Sequence, residues 1–354
     1  MIGGKNILVT GGCGFIGSNF IRAALVQKSW PLAKLVNLDA LTYAGRQDNL
    51  SGLDDPRYVF VHGEIGDVSL TAKILREHQI DTVLNFAAES HVDRSIDRPA
   101  PFVQTNVAGV VSLLESALAY YRELPELRRR DFRVVQISTD EVYGSLDANG
   151  EAFTEISRYA PSNPYAASKA AADHFAWSFH KTHGLPLMVS HCSNNYGPRQ
   201  LPEKLIPLMI LNAQAGKSLP IYGNGANIRD WIYVDDYAAG LLALMAKGRV
   251  GESYHFGGGQ EVSNLSVVQK ICDVLDQLSP LAPGQNRREL IRFVEDRPGH
   301  DFRYAMNTEK ARRELGWSPQ VGFDEGIRKT IRWYLDHAAW VATAARYDRQ
   351  IRSN

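Results

Sequence analysis

At 354 residues, 44% hydrophobic and 22% charged, the chain has the balance of an ordinary globular protein, with room for two domains or one large α/β unit bearing an added lobe. Its 39 Lys and Arg match its 39 Asp and Glu, so no overall field draws it to nucleic acid or anionic lipid, and an anionic ligand would need a local cluster of basic groups. Three widely spaced cysteines, Cys13, Cys192 and Cys272, exclude a disulfide framework, lack metal-ligand spacing and favour a reducing compartment.

The opening MIGGKNILVTGG has no signal-peptide apolar region, and the apolar stretch 205–211 is far too short to cross a bilayer, so a cytoplasmic protein is expected. Strand-like runs are predicted at 6–10, 34–39, 58–62, 82–88, 133–139 and 187–193, with helical patterns at 15–28, 69–78, 99–121 and 164–183 between them. Near-continuous apolar strands alternating with helices predict an α/β fold with a doubly wound parallel sheet, a Rossmann domain. After Asn194 the alternation breaks. Helical patterns at 201–215, 234–247, 265–278, 308–315 and 323–337 lie between loops containing Gly and Pro. This predicts a smaller, helix-rich C-terminal lobe with at least one strand, 252–256, returning to the main sheet. Residues 1–193 are expected to bind a dinucleotide, with sheet contributions from about 225–260; 194–340 form mainly the substrate lobe, and 341–354 a polar helical tail or frayed end.

Gly11, Gly14 and Gly17 follow the first strand and open a helix, spaced G-x-x-G-x-x-G. Glycines there permit a tight turn and close approach to a pyrophosphate, and the helix N-terminus adds unpaired N–H groups. The plain alternative is a glycine-rich turn that only fits a βα corner. Asp39 ends the second strand, LVNLD, where a carboxylate accepts both ribose hydroxyls of NAD and repels a 2′-phosphate. No arginine follows it, so NAD is expected rather than NADP.

Thr139, Asp140 and Glu141 close the fifth strand, at the edge where open α/β sheets bind ligands. Ser162 and Asn163 are candidate caps for a helix that Pro164 can start, and Tyr165 and Lys169 then share one face of it, four residues apart. A phenol near neutrality serves as a base only if its pKa falls by roughly three units, about 4 kcal/mol of preference for phenolate. The Lys169 ammonium and the positive nicotinamide ring are the expected sources. Alcohol oxidation has no use for Asp140 and Glu141. Adjacent carboxyl groups in a dry cleft are pushed apart in pKa, leaving one as acid and one as base, which an added elimination step needs.

These residues carry a resemblance. The segments GGCGFIGS, LDALTYAG, NFAAESHVDRSI, ISTDEVYG, APSNPYAASK, CSNNYGPRQLPEKLIP, RDWIYVDD and DRPGHD, from residue 7 to about 304, are similar to those of extended short-chain dehydrogenase/reductases and, among these, of the dTDP-glucose 4,6-dehydratases. The resemblance implies a redox-neutral lyase with tightly held NAD, forming a 4-keto-6-deoxy sugar from dTDP-glucose. It assigns Tyr165 to the sugar 4-hydroxyl proton, Thr139 to a hydrogen bond with the 4-oxygen, Glu141 to the C5 hydrogen, Asp140 to the departing 6-hydroxyl, and Lys169 to ribose and phenolate.

It further implies cofactor contacts from Phe15, Ile16, Leu41, Thr42, Glu64, Ile65, Ala87, Ala88, Ser90 and Asn195, beside the glycines and Asp39. Lys204, Arg229 and Arg297 are expected toward the substrate diphosphate. Asn194, Leu205, Pro220, Tyr222, Asn264 and His300 are further substrate contacts, and His91 and Glu203 face the sugar. A homodimer built from the helices at 99–121 and 164–183 is implied too. Three residues depart from the family: Glu64 for a usual aspartate, Phe302 for an arginine after Gly-His-Asp, and Cys13 for an alanine. His180 and His183 lack a third ligand at suitable spacing, so no metal is assigned. A nucleotide-sugar 4-epimerase, a UDP- or GDP-sugar dehydratase and a non-catalytic NAD sensor on the same fold stay open as alternatives.

Overall fold

The computed structural model describes residues 5–27 and 30–344. Residue 28 of the first predicted helix and residues 345–354 of the predicted tail lie outside them. Six strands come from the first part of the chain: β1 Lys5–Thr10, β2 Leu32–Asp39, β3 Tyr58–His62, β4 Thr82–Asn85, β5 Arg133–Thr139 and β6 Leu187–Cys192. Six more follow: β7 Asn194–Tyr196, β8 Leu219–Tyr222, β9 Ile228–Tyr233, β10 Ser253–Phe256, β11 Glu261–Ser263 and β12 Ile291–Val294.

The main sheet has the order β10-β6-β5-β4-β1-β2-β3, every pair parallel, as in a Rossmann fold. Apart from the first residues of β1 and β5 its central strands are buried, which is why they read as apolar runs. The strand at 252–256 does return to this sheet: β10 pairs with β6 from Ser253↔Val189 to Phe256↔Cys192. The fourth strand is shorter than its apolar run suggested. It stops at Asn85, so that Phe86, Ala87 and Ala88 turn out into the crevice instead of extending the ladder.

Helices cover both faces. Phe15–Val26 packs on Val234–Lys247 through Phe20, Ile21 and Ala24 on one side and Tyr237, Ala238 and Leu241 on the other. The opposite face is covered by Val68–Glu77, a continuous helix from Ala100 to Glu123 and Pro164–His183, whose Ile74, Leu113, Leu114, Ala172 and Ala176 share one buried cluster. The helix Ala100–Glu123 is long and apolar enough to cross a membrane, unlike the shorter stretch 205–211 that its composition singled out; half of its most apolar window is buried inside the fold. Its first turns, Val103–Gly109, are wound as a π-helix. Asn163 caps Pro164–His183 by accepting the Ala166 N–H at 2.9 Å, and Gly184 ends it in the left-handed conformation.

The later part of the chain holds more sheet than its helical patterns predicted. β11-β9-β7 form a three-stranded sheet and β12-β8 a parallel pair. Both rest on a third apolar cluster that includes Tyr196, Trp231, Ile271, Ile327 and Trp340. The helix predicted at 201–215 begins only at Leu205, which leaves Pro207 in its first turn, where a missing N–H costs nothing.

This third cluster also reaches back to the chain's beginning. Trp340 Nε1 donates to Asn49 Oδ1 at 2.8 Å, and Asn49 Nδ2 donates to the Cys13 carbonyl at 2.8 Å. The Arg46 guanidinium lies over the Trp340 ring, and the Arg46 N–H reaches the same Cys13 carbonyl at 2.9 Å.

Candidate active site

The chain turns from one half of the main sheet to the other between β1 and β4, and a cavity of about 300 Å3 opens at their carboxyl ends. Gly11, Gly14, Phe15, Ile16 and Gly17 form one wall. Gly11 has φ +68°, and a Cβ there would meet the Ala87 backbone nitrogen at 2.6 Å; one on Gly17 would meet the Gly11 carbonyl at 2.5 Å. Only glycine allows this close seat under the N-terminus of Phe15–Val26.

Asp39 and Thr42 lie beside the turn, with Ala87, Ala88 and Ser90 across from it. Asp39 is buried, and accepts from the Cys13 N–H on Oδ2 and the Leu41 N–H on Oδ1, each at 2.8 Å. Burial raises its pKa, and those two N–H groups oppose the rise. Each carboxylate oxygen keeps a lone pair for a further donor. Asn194 Oδ1 and Asn195 Oδ1, also on the cavity, are buried with no hydrogen-bond partner among the described residues. A tight glycine cradle, a carboxylate with spare acceptors and orphaned amide oxygens fit a dinucleotide.

Tyr165 and Lys169 line the far wall. The Tyr165 backbone N–H donates to Ser95 Oγ at 3.1 Å and its ring meets Phe102 edge-on, so both its backbone and its ring are held. Lys169 is buried and donates to the Ile137 carbonyl at 2.5 Å. The protein alone does not deliver the lowered phenol pKa that base chemistry asks for. Burial raises the Tyr165 pKa well above its ordinary value, and the charges of Glu141, Cys192 and Asp140 add to the rise. A hydrogen bond with Thr139 works the other way. Burial likewise lowers the Lys169 pKa, opposed chiefly by Asp173.

Thr139 ends β5 and caps the short turn Asp140–Tyr143 by accepting the Glu141 N–H at 3.3 Å. Asp140 is 1% exposed; its Oδ1 takes the Thr139 hydroxyl at 3.3 Å, and its Oδ2 has no partner among the described residues. The two carboxyls stand in different surroundings. Burial pushes the Asp140 pKa well up, and the charges of Glu141 and Asp230 push it further, with Arg229 opposing. Burial also raises Glu141, but Arg297, Lys204 and Arg229 all pull it back, and Asn163 Nδ2 donates to its Oε2 at 3.5 Å. Asp140 is thus pushed more strongly toward its neutral form than Glu141.

The remaining predicted residues fall into three groups. Glu203 and Lys204 are on the cavity, Lys204 donating to the Ser90 carbonyl at 2.9 Å. His91 Nε2 lies 3.7 Å from Glu203 Oε2, next to Arg94 at 3.6 Å from the same oxygen. A second group lies along the small sheets. Arg229 is buried on β9, donating to the carbonyls of Ile228, Asp301 and Phe302 over the Tyr304 ring. Arg297 contacts Asp93 at 3.1 Å, while His300 contacts Asp296 at 2.6 Å and meets the half-exposed Tyr222 ring edge-on. Pro220 shares β8 with Tyr222, Leu205 opens its helix, and Asn264 Oδ1 is buried without a partner.

Leu41, Glu64 and Ile65 stand off the cavity. Leu41 adopts φ +52° while its N–H serves Asp39, Ile65 is buried in the helix-side core, and Glu64 is exposed. Phe302 is also exposed, its N–H held by Ser145 Oγ at 2.8 Å. Cys13 is fully buried, and burial pushes its thiol up to about 12. His180 Nδ1 is bonded to the Leu185 carbonyl at 2.8 Å at the helix end. Sequence reasoning missed Tyr43, Arg94 and the bond from Asn163 to Glu141. Tyr43 and Arg94 sit inside two of the family-like segments, and that was the available signal.

A family profile described as GDP-mannose 4,6 dehydratase matches residues 8–330. A dTDP-glucose 4,6-dehydratase of Xanthomonas campestris pv. campestris (strain B100) is 52% identical over 335 residues, 94% of this chain and 94% of the relative. The dTDP-glucose 4,6-dehydratase 1 of Escherichia coli (strain K12) is 50% identical over 344 residues, 95% and 94% of the two chains. Among solved structures, a dTDP-glucose 4,6-dehydratase from Streptomyces venezuelae with NAD bound matches with TM-score 0.86 at 45% identity, covering 96% of this chain and 99% of that one. A UDP-glucose 4-epimerase from Thermotoga maritima matches with TM-score 0.80 at 25% identity, covering 94% and 99%.

Proposed function

We propose that this chain, which belongs to the dTDP-glucose 4,6-dehydratase family, converts dTDP-glucose to dTDP-4-keto-6-deoxyglucose with NAD as a redox partner that ends the cycle unchanged. NAD, when bound, accepts a hydride from sugar C4 and returns it to C6. Tyr165 takes the proton of the 4-hydroxyl, while Thr139 holds the 4-oxygen and Lys169 steadies the phenolate and the ribose. The new 4-ketone acidifies the C5 hydrogen; Glu141 removes it as a proton and gives a proton back to C5 once hydride has reached C6. Asp140, kept neutral by burial and by Glu141, protonates the departing 6-hydroxyl, and water leaves.

One observation carries this reading. Asp140 and Glu141 both line the cavity with Tyr165, one beside carboxylates and the other among three cations. A 4-epimerase oxidises and reduces the same carbon and has no step for such a pair. Incubating the purified protein with dTDP-, UDP- and GDP-hexoses tests it: a product lighter by one water from the dTDP-sugar is expected, and its absence with all three overturns the reading.

Residues 1–193 with β10 hold NAD in this proposal, and residues 194–340 mainly the nucleotide sugar. Lys204, Arg229 and Arg297 take the nucleotide diphosphate, Asn194, Leu205, Pro220, Tyr222, Asn264 and His300 are further substrate contacts, and His91 and Glu203 face the sugar. Phe15, Ile16, Thr42, Ala87, Ala88, Ser90 and Asn195 take NAD, with Leu41, Glu64 and Ile65 behind its adenosine half. Homodimerisation through Ala100–Glu123 and Pro164–His183 is supported by Val103, 55% exposed, and Phe175, 42% exposed, on their outer faces. A cytoplasmic setting agrees with three buried, unpaired cysteines.

A further inference from the structure

Behind the cavity, away from both ligand faces, lies a buried polar cluster that none of the steps above uses. Asp173 is at its centre, 0% exposed, on the same helix as Lys169 and one turn beyond it. Its Oδ2 accepts the Ser138 hydroxyl at 2.5 Å and the Tyr159 hydroxyl at 3.1 Å, with His191 Nε2 at 3.4 Å. His191 Nε2 is also 2.8 Å from the Tyr159 oxygen. Tyr143 and His255 form the next layer, 2.7 Å apart, and burial holds His255 neutral. His174 packs on Tyr159 from outside, and Glu155 accepts the His255 N–H.

We propose that Asp173 is a positioning residue: its carboxylate is the buried counter-charge that keeps Lys169 an ammonium ion in the dry cleft. An isolated ammonium buried among apolar groups gives up its proton, unless a fixed opposite charge stands nearby. Of the groups acting on Lys169, Asp173 most favours its protonated form, with Cys192 second. No ion pair within 4.0 Å joins the two among the described residues, and this separation has a use. A carboxylate in contact would compete with the phenolate and ribose for the Lys169 N–H groups. One held a turn away by Ser138, Tyr159 and His191 balances the charge and leaves those donors free.

The inference rests on Lys169 serving Tyr165, as proposed above. Its kinetic test is the pH profile of kcat for Asp173→Asn. Losing the counter-charge lowers the Lys169 pKa, so the basic limb should move toward acid by about one unit or more, with kcat at alkaline pH down about tenfold and KM for the nucleotide sugar unchanged. Tyr159→Phe removes a bond from the same cluster but keeps the charge, so its limb should stay in place. An equal shift in both variants, or a loss uniform in pH for Asp173→Asn, overturns the proposal. A second test needs no turnover: thermal melts of Lys169→Met, Asp173→Asn and the double variant. Counter-charges predict that the second substitution costs less after the first, and additive losses overturn the proposal. That cycle separates it from the assignment of Lys169 to Tyr165, which fails instead if Lys169→Met alone turns over normally.

Discussion

Asn163 and Glu141 are joined by the side-chain amide that also starts the Pro164–His183 helix: Asn163 Oδ1 caps the Ala166 N–H at 2.9 Å, while its Nδ2 lies 3.5 Å from Glu141 Oε2. One side chain therefore fixes the helix bearing Tyr165 and Lys169 against the Glu141 carboxylate. The cap alone was legible in the sequence.

The two duties separate by substitution. Asn163→Ser keeps a capping oxygen and loses the amide donor, so its melting temperature should stay near that of the parent while removal of the C5 hydrogen slows. Asn163→Ala loses both and should also cost about 1 kcal/mol of stability. Thermal melts beside solvent-deuterium incorporation at C5 check the pair.

Tyr165→Phe leaves the ring and its contact with Phe102 but removes the proton acceptor. Mixing it with NAD and dTDP-glucose should give no NADH-like absorbance, with turnover down about 100- to 10,000-fold. Normal turnover would exclude the phenol as the base.

Asp140→Asn with Glu141→Gln is expected to divide the reaction at its middle. Oxidation at C4 should survive, seen as NADH-like absorbance that forms and persists, while loss of water falls about 100-fold or more. Full 4-keto-6-deoxy product from this variant would remove the elimination roles.

Asp230, on β9 beneath Asp140, is raised by burial from 3.8 to about 6. Between those values the folded protein holds the proton more tightly than the unfolded chain. Its contribution to stability is therefore complete below about pH 4 and is lost as pH rises through about 6, by about 3 kcal/mol in all. Asp230→Asn has no such proton to lose, so its stability relative to the parent should improve by about that much between pH 4 and pH 7.5. Denaturant melts at the two pH values measure this, and a constant difference would contradict it.

The main sheet was readable because its strands are buried on both faces and so leave unbroken apolar runs. β7 and β11 span three residues each, and β8 and β12 four, too short for any period to show. Asp140 and Glu141 were legible as two carboxyls with pKa values pushed apart. The cause of the difference was not, because Lys204, Arg229, Arg297 and Asp230 approach from sequence positions far from 140. The enclosure of Tyr165 was not legible either: burial, which only the folded chain reveals, raises the phenol pKa that the sequence reading expected to be lowered.

Trp340 bonds Asn49, and Asn49 bonds the Cys13 carbonyl in the glycine turn. Asn49 and Trp340 stand 291 positions apart in the chain. Any truncation that removes Trp340 would therefore leave the glycine cradle whole in sequence while stripping away the far end of the bonds that brace it.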